Sequence, residues 1–346
     1  MDPILVTLVI VVVVALIFDY INGFHDTANA IATVVSTGVL PLRTAVLMAA
    51  MMNFGGAFMG LKVADTIAKM VDGAAVSQVM VAAGLIGAIA WNLFTWWVGI
   101  PSSSSHALLG GILGAAVTKA GTACIKEENL MKALKGLFLS PAFGFVFGFL
   151  LMVGLTWIVR RMRPVVVNKA FRWLQIASAG FMAISHGQAD AQKTMGIITM
   201  ALVSYGAASG WLHVGSHPGA DGKTVLDPPT WVIVSCAVAM ALGTAAGGVR
   251  IIKTMGTKII ELKPIHGFAA ETGAALTIIT AAQLGAPVST THVISSSIMG
   301  VGSSQRVSAV RWGMTTRILW AWVLTIPISA VVGAGCYLAL SRLLGA

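Results

Sequence analysis

Two stretches of the chain, residues 77–118 and 267–303, are too long for one membrane crossing, and the same short phrase interrupts each near its middle. The first interruption reads Gly99-Ile100-Pro101-Ser102-Ser103-Ser104-Ser105-His106, and the second reads Gly285-Ala286-Pro287-Val288-Ser289-Thr290-Thr291-His292. A crossing takes roughly 20 helical residues, so each stretch reads as two membrane-embedded arms with a turn between them. Irregular backbone at that depth survives only when buried in protein or lining a cavity. Both interruptions must therefore face inward. Composition leaves no soluble alternative: 57% of residues are apolar, 10% are charged and the mean hydropathy is +0.88. Ordinary soluble domains carry about 25% charged residues. The same apolar content excludes disorder. The fold expected is an all-α integral membrane protein, and its 38 glycines suit close helix packing in a bilayer.

Further apolar stretches lie at 3–38, 43–60, 138–159, 173–205, 231–248 and 318–341. Those at 3–38 and 173–205 exceed one plain span and hold polar residues halfway along, so each reads as a broken helix or a helix joined to a half-helix. The opening Met1-Asp2-Pro3 lacks a basic n-region, so the first apolar stretch is expected to be retained rather than cleaved. Arg160, Arg161, Arg163, Lys169 and Arg172 form the strongest basic loop and are placed in the cytoplasm by the positive-inside rule. If both interrupted stretches are re-entrant hairpins, six net crossings remain, both termini face outside, and the larger share of Lys and Arg falls inside. The net charge of +10 has this orientation as its reading; no basic run interleaved with aromatics points to nucleic acid. Cys124, Cys236 and Cys336 suggest neither a disulfide framework nor a metal cluster.

The chain also repeats itself. Gly23-Phe24-His25-Asp26 aligns with Gly187-Gln188-Ala189-Asp190, and each precedes one of the Gly-x-Pro phrases in the same order, the second match running on to Gly114 and Gly300. By loop charge the first phrase begins outside and the second inside. The reading is an inverted-topology repeat with two re-entrant hairpins: residues 1–159, a cytoplasmic connection at 160–172, and residues 173–346. Secondary transporters have this architecture, with sites near the midplane between the halves.

Each tip combines a proline suited to a helix start, serines able to cap it and a helix N-terminus with its free N–H groups and partial positive charge. Two such tips make an anion cradle without a full cation. Ser102, Ser103, Ser104 and Ser105 in one tip, and Ser289, Thr290 and Thr291 in the other, are the candidate anion ligands. The plain alternative is that they only cap short helices. Asp26 and Asp190 are ionisable at membrane depth, which marks a substrate or ion path. Asn29, one turn from Asp26, adds an amide oxygen on the same face, and Gln192 offers the same in the second half. Asp190 has Lys193 at i+3, so a structural ion pair is the simpler reading there. Glu271 sits inside an apolar run and is a third candidate, with Asp65 as a possible acidic counterpart. His106 and His292 are expected to pin the turns, and His25 to modulate Asp26. His213 and His217 fall in an exposed loop at 206–230.

Gly23-Phe24-His25-Asp26-Thr27-Ala28-Asn29-Ala30, the repeated Pro-x-Ser-x-x-His and Gly267-Phe268-Ala269-Ala270-Glu271 closely resemble the inorganic phosphate transporter (PiT) family over nearly the whole chain. The resemblance implies cation-coupled uptake of inorganic phosphate, inverted repeats with two hairpins, and a homodimer. It also implies that Asp26, Asn29, Asp190 and Gln192 match ion- and substrate-site residues, with sodium a candidate there, and that the two hydroxyl runs match the phosphate-binding tips. His25 and Ala189 stand where sodium-coupled members usually carry Asn; losing two amide ligands shifts the expectation from sodium toward the proton. The short 160–172 connection matches compact microbial forms of the cytoplasmic membrane. No cofactor is expected. Sulfate is the nearest rival substrate, but it has no proton to give Asp26. A lipid-diphosphate phosphatase is the rival of another class; it would need fixed cations at the transferring group, and neither tip has Arg or Lys within ten residues before its Pro or after its His. A channel fits paired inverted sites less well.

Overall fold

The computed structural model describes residues 3–209, 214–219 and 223–344. His213 lies outside them. The helices are α1 (Pro3–Ser36), α2 (Leu42–Gly56), α3 (Lys62–Ala68), α4 (Gln78–Val98), α5 (Ser104–Ala120), α6 (Glu127–Val159), α7 (Pro164–Ser209), α8 (Thr230–Ala246), α9 (Val249–Thr257), α10 (Pro264–Gln283), α11 (Thr290–Gln305) and α12 (Trp312–Leu344). A small antiparallel hairpin, β1 (Gly215–Pro218) and β2 (Thr224–Asp227), joins α7 to α8. It carries His217 on the surface, 2.9 Å from Asp227. Among the described residues, four helices are long and apolar enough to cross a membrane: α1 from Ile4, α4, α6 and α12. The protein is an integral membrane protein.

The first and fifth apolar stretches are not broken. α1 runs uninterrupted for 34 residues and α7 for 46, about 50 and 70 Å of helix. Their polar residues face neighbouring helices, where Thr194 meets Asp19, Ser104 meets Asp26 and Thr290 meets both Asn29 and Asp190, so the backbone need not open. The breaks fall elsewhere. α2 gives way to α3 around Gly60, whose φ is 108°, and α8 gives way to α9 at Gly247, whose φ is 70°; α8 and α9 differ in direction by 74°. Only Arg160–Arg163 separates α6 from α7, residues 164–172 being its opening turns.

The helices that carry the repeated motifs each pack on a long or bent partner. α1 packs on α8 and α7 on α2; α5 packs on α12 and α11 on α6. Repeated glycines sit at these crossings. A Cβ on Gly23 would lie 2.5 Å from the Met240 carbonyl oxygen, and one on Gly187 2.2 Å from that of Asn53. A Cβ on Gly114 would lie 2.1 Å from the Ala330 carbonyl oxygen, and one on Gly300 2.1 Å from that of Phe145. No larger residue lets the backbones come so close. α1 and α7 run antiparallel, since Asp19 meets Thr194 while Thr37, two turns beyond Asn29, meets Gln175. α6 and α12 each hold an internal proline, Pro141 and Pro327. Both turn large apolar side chains outward, among them Phe138, Trp157, Trp320 and Val331, as lipid-facing helices do.

Candidate functional site

The two interruptions have one local construction. Gly99 and Gly285 take φ of 74° and 67°, which turns the chain after α4 and α10 at no steric cost. Ser103 and Ser289 then stand as N-caps of α5 and α11. Their hydroxyls accept from the His106 N–H at 3.1 Å and the His292 N–H at 3.2 Å. These two candidates therefore serve the helix starts, as caps do. The His106 and His292 rings stack with centroids 4.5 Å apart, and His292 stacks on Trp322 at 3.8 Å. Residues 186 apart in the chain are thus in contact, and both helix N-termini meet in one place.

Between the tips lies a buried polar cluster contributed by α1 and α7. Asp26 accepts from Ser104 of the first tip at 2.8 Å and from Thr291 of the second at 3.3 Å. His25 Nδ1 lies 2.6 Å from Asp26 Oδ1, and its Nε2 lies 3.2 Å from Thr95 Oγ1. Thr95 in turn is 2.7 Å from Ser102. Asn29 donates to Thr290 at 3.2 Å and Thr291 at 2.9 Å. Asp190 accepts from Thr290 at 3.1 Å and pairs with the Lys193 ammonium, so the simple i+3 ion pair forms. His186 Nε2 lies 3.2 Å from Asp190 Oδ2 without making a hydrogen bond to it. Ligand atoms of Asp26, His186 and Asp190 all lie within 4.8 Å of one another, close enough to share a small cation. Asn29 Oδ1 and His292 Nε2 are buried with no hydrogen-bond partner, whereas buried polar atoms are ordinarily paired.

A family model described as the phosphate transporter family matches residues 22–333. The chain belongs to the phosphate transporter family. A Bacillus subtilis protein described as "Probable low-affinity inorganic phosphate transporter" is 47% identical over 99% of this chain and 100% of its own length. A Rhizobium meliloti protein of the same description is also 47% identical, over 97% of this chain and 96% of its own length. A solved structure titled "The sodium-dependent phosphate transporter" shares the fold, with a TM-score of 0.84 over 97% of this chain and 99% of that one, at 23% identity. Membership places the chain among transporters and removes the phosphatase alternative.

In this phosphate transporter family chain the remaining candidates fall in different places. Glu271 joins a separate cluster, accepting from Thr33, from Ser178 and from Gln175 at 3.3 Å. Thr33 is one turn beyond Asn29 on α1, so the two clusters neighbour each other without merging. Gln192 accepts from the Val63 N–H at 2.9 Å and stands toward α3, off the central cluster. Asp65 belongs to the surface, bonded to Lys69 at 2.6 Å and to the Leu226 N–H at 2.7 Å. Sequence reasoning names Lys193 only as the partner of Asp190, not as a contact of the tips, and does not find His186 or Thr95. Searching for cations near each tip in sequence could not find Lys193, because α7 delivers it from outside both tips. The i, i+4 spacing of His186 and Asp190 on one helix face was the available signal for His186.

Proposed function

We propose that the chain carries inorganic phosphate across the cytoplasmic membrane together with a coupling cation, a proton or sodium, by alternating access between inverted repeats at 1–159 and 173–346 joined through 160–172. The observation that carries this reading is that Asp26 accepts hydrogen bonds from both tips at once. A small tetrahedral oxyanion seated there meets hydroxyls from both sides and the N–H groups and dipoles of α5 and α11. Ser104, Thr290 and Thr291 are its hydroxyl ligands, with Ser102 and Ser105 at the edge. The Asp26 carboxylate accepts the proton that phosphate carries and sulfate lacks, which favours phosphate. The antiparallel packing of α1 and α7, and the matched glycine crossings, support the inversion.

Asp26 and Asn29 supply oxygens for a cation beside the anion, and Asp190 lies within reach but is already paired with Lys193. The sodium dependence in the neighbour's title supports sodium; His25, hydrogen-bonded to Asp26 where an amide would otherwise serve, supports the proton. The test is purified protein in liposomes, measuring phosphate and sulfate uptake under separate proton and sodium gradients. Phosphate uptake driven by one inward gradient, with sulfate far slower, is expected. Equal sulfate uptake overturns the substrate, and uptake indifferent to both gradients overturns the coupling.

A further inference from the structure

The two halves set the same motif in the same surroundings with one difference of charge. Three residues after Asp26 comes Asn29; three residues after Asp190 comes Lys193. Both members of the second pair are buried, Asp190 at 0% exposure and Lys193 at 2%. An ammonium has three N–H donors and no acceptor. Three acceptors surround this one: Asp190 Oδ1, the Ser105 hydroxyl and, at 2.8 Å, the Val288 carbonyl oxygen. They come from α7 and from each of the two tips. Carboxylate, hydroxyl and main-chain carbonyl are also the hard oxygen ligands that a small metal cation takes. With all three donors engaged, none is left for a phosphate oxygen.

The first half is built otherwise. Asn29 is uncharged, its Nδ2 is committed to Thr290 and Thr291, and its buried Oδ1 has no hydrogen-bond partner. A buried carboxylate needs a compensating charge. Among the described residues, Asp26 has only the His25 ring as an ion-pair partner, where Asp190 has the Lys193 ammonium.

We propose that Lys193 is a tethered cation: its ammonium takes the place that a mobile coupling ion would otherwise hold at Asp190, which leaves one mobile-cation position, at Asp26 and Asn29. The proposal rests on the transport reading above and specifies its stoichiometry. The lysine charge links the tips but never leaves the protein. One positive charge fewer then crosses with each phosphate than in a chain with an amide at this position.

Lys193→Asn makes the second motif match the first. In purified protein, exchanging choline chloride for sodium chloride should raise the unfolding temperature of Lys193→Asn by about 3–4 °C more than that of the wild type at a hundredfold excess over the dissociation constant. The extra shift should vanish in Asp190→Asn/Lys193→Asn and be absent from Lys193→Arg. In liposomes, Lys193→Asn should carry one more positive charge per phosphate. A tenfold potassium gradient with valinomycin should then raise its phosphate accumulation about tenfold more than the wild type's. Equal sodium shifts in wild type and Lys193→Asn overturn the proposal, as does unchanged charge per phosphate in an active variant. Loss of phosphate binding with an unaltered sodium response also overturns it, by making Lys193 a substrate ligand. Wild-type uptake in the same liposomes tests transport separately: its absence refutes transport and leaves the sodium comparison standing.

Discussion

Three of the buried acids, Glu271, Asp26 and Asp190, fall into two groups with opposite habits. Glu271 is saturated: Thr33, Ser178 and Gln175 all donate to it. It ties α10 to α1 and α7, and little remains for it to bind. Asp26 and Asp190 instead divide a common set of donors from the two tips, and beside them Asn29 Oδ1 and His292 Nε2 lie buried without a hydrogen-bond partner. A saturated buried network rigidifies, whereas one with open valences in a dry interior is costly unless something else completes it. On the proposed reading the contrast separates a clamp from a site, although all three acids stand out in the sequence for the same reason, as carboxylates in apolar runs.

The strongest challenge to that contrast is Asp26→Asn. It should lower coupled phosphate uptake by about 100-fold or more, because the charge is lost while the shape is kept, and the purified protein should still elute as a single folded species in detergent. Uptake at the wild-type rate would erase the distinction. A smaller effect is expected at the tips. Thr290→Ala or Ser104→Ala should raise the phosphate half-saturation constant about 3- to 10-fold, the worth of one hydrogen bond, with the cation dependence unchanged. An unaltered constant would remove that tip from the site. Smallest of all is Glu271→Gln, which retains one acceptor oxygen. It should lower the thermal unfolding temperature by a few degrees while leaving uptake within about threefold. Uptake abolished in a stable Glu271→Gln protein would move Glu271 from clamp to site.

The tips were legible in the sequence because their chemistry is local: Gly-x-Pro, a capping serine and a histidine stand together twice, and the pairs fold alike. Breaking α1 and α7 was a misreading with a clear cause. Hydropathy registers Asp19, Asn22, Asp26 and Asn29 as interruptions, yet these share one face of a continuous helix, buried against neighbouring helices. The actual breaks, at Gly60 and Gly247, carry no proline or hydroxyl run to announce them. The contact of Lys193 with the tips is hidden for a third reason: whether a cation serves a tip depends on tertiary distance, and α7 brings it across 88 residues of chain to Ser105. A polar residue in an apolar run does not disclose its partners: Glu271 is fully partnered, whereas Gln192 accepts from the Val63 N–H and keeps a buried Nε2 without a partner.

The most direct check is to look for the anion itself. A density map of the purified protein in phosphate, compared with one in arsenate, whose heavier central atom marks the site, should place the tetrahedral ion between the N-termini of α5 and α11. It should lie within hydrogen-bond distance of Ser104, Thr290 and Thr291 and next to Asp26. An ion bound beside Glu271, or at a surface away from both tips, would refute the convergence of the two halves on one substrate.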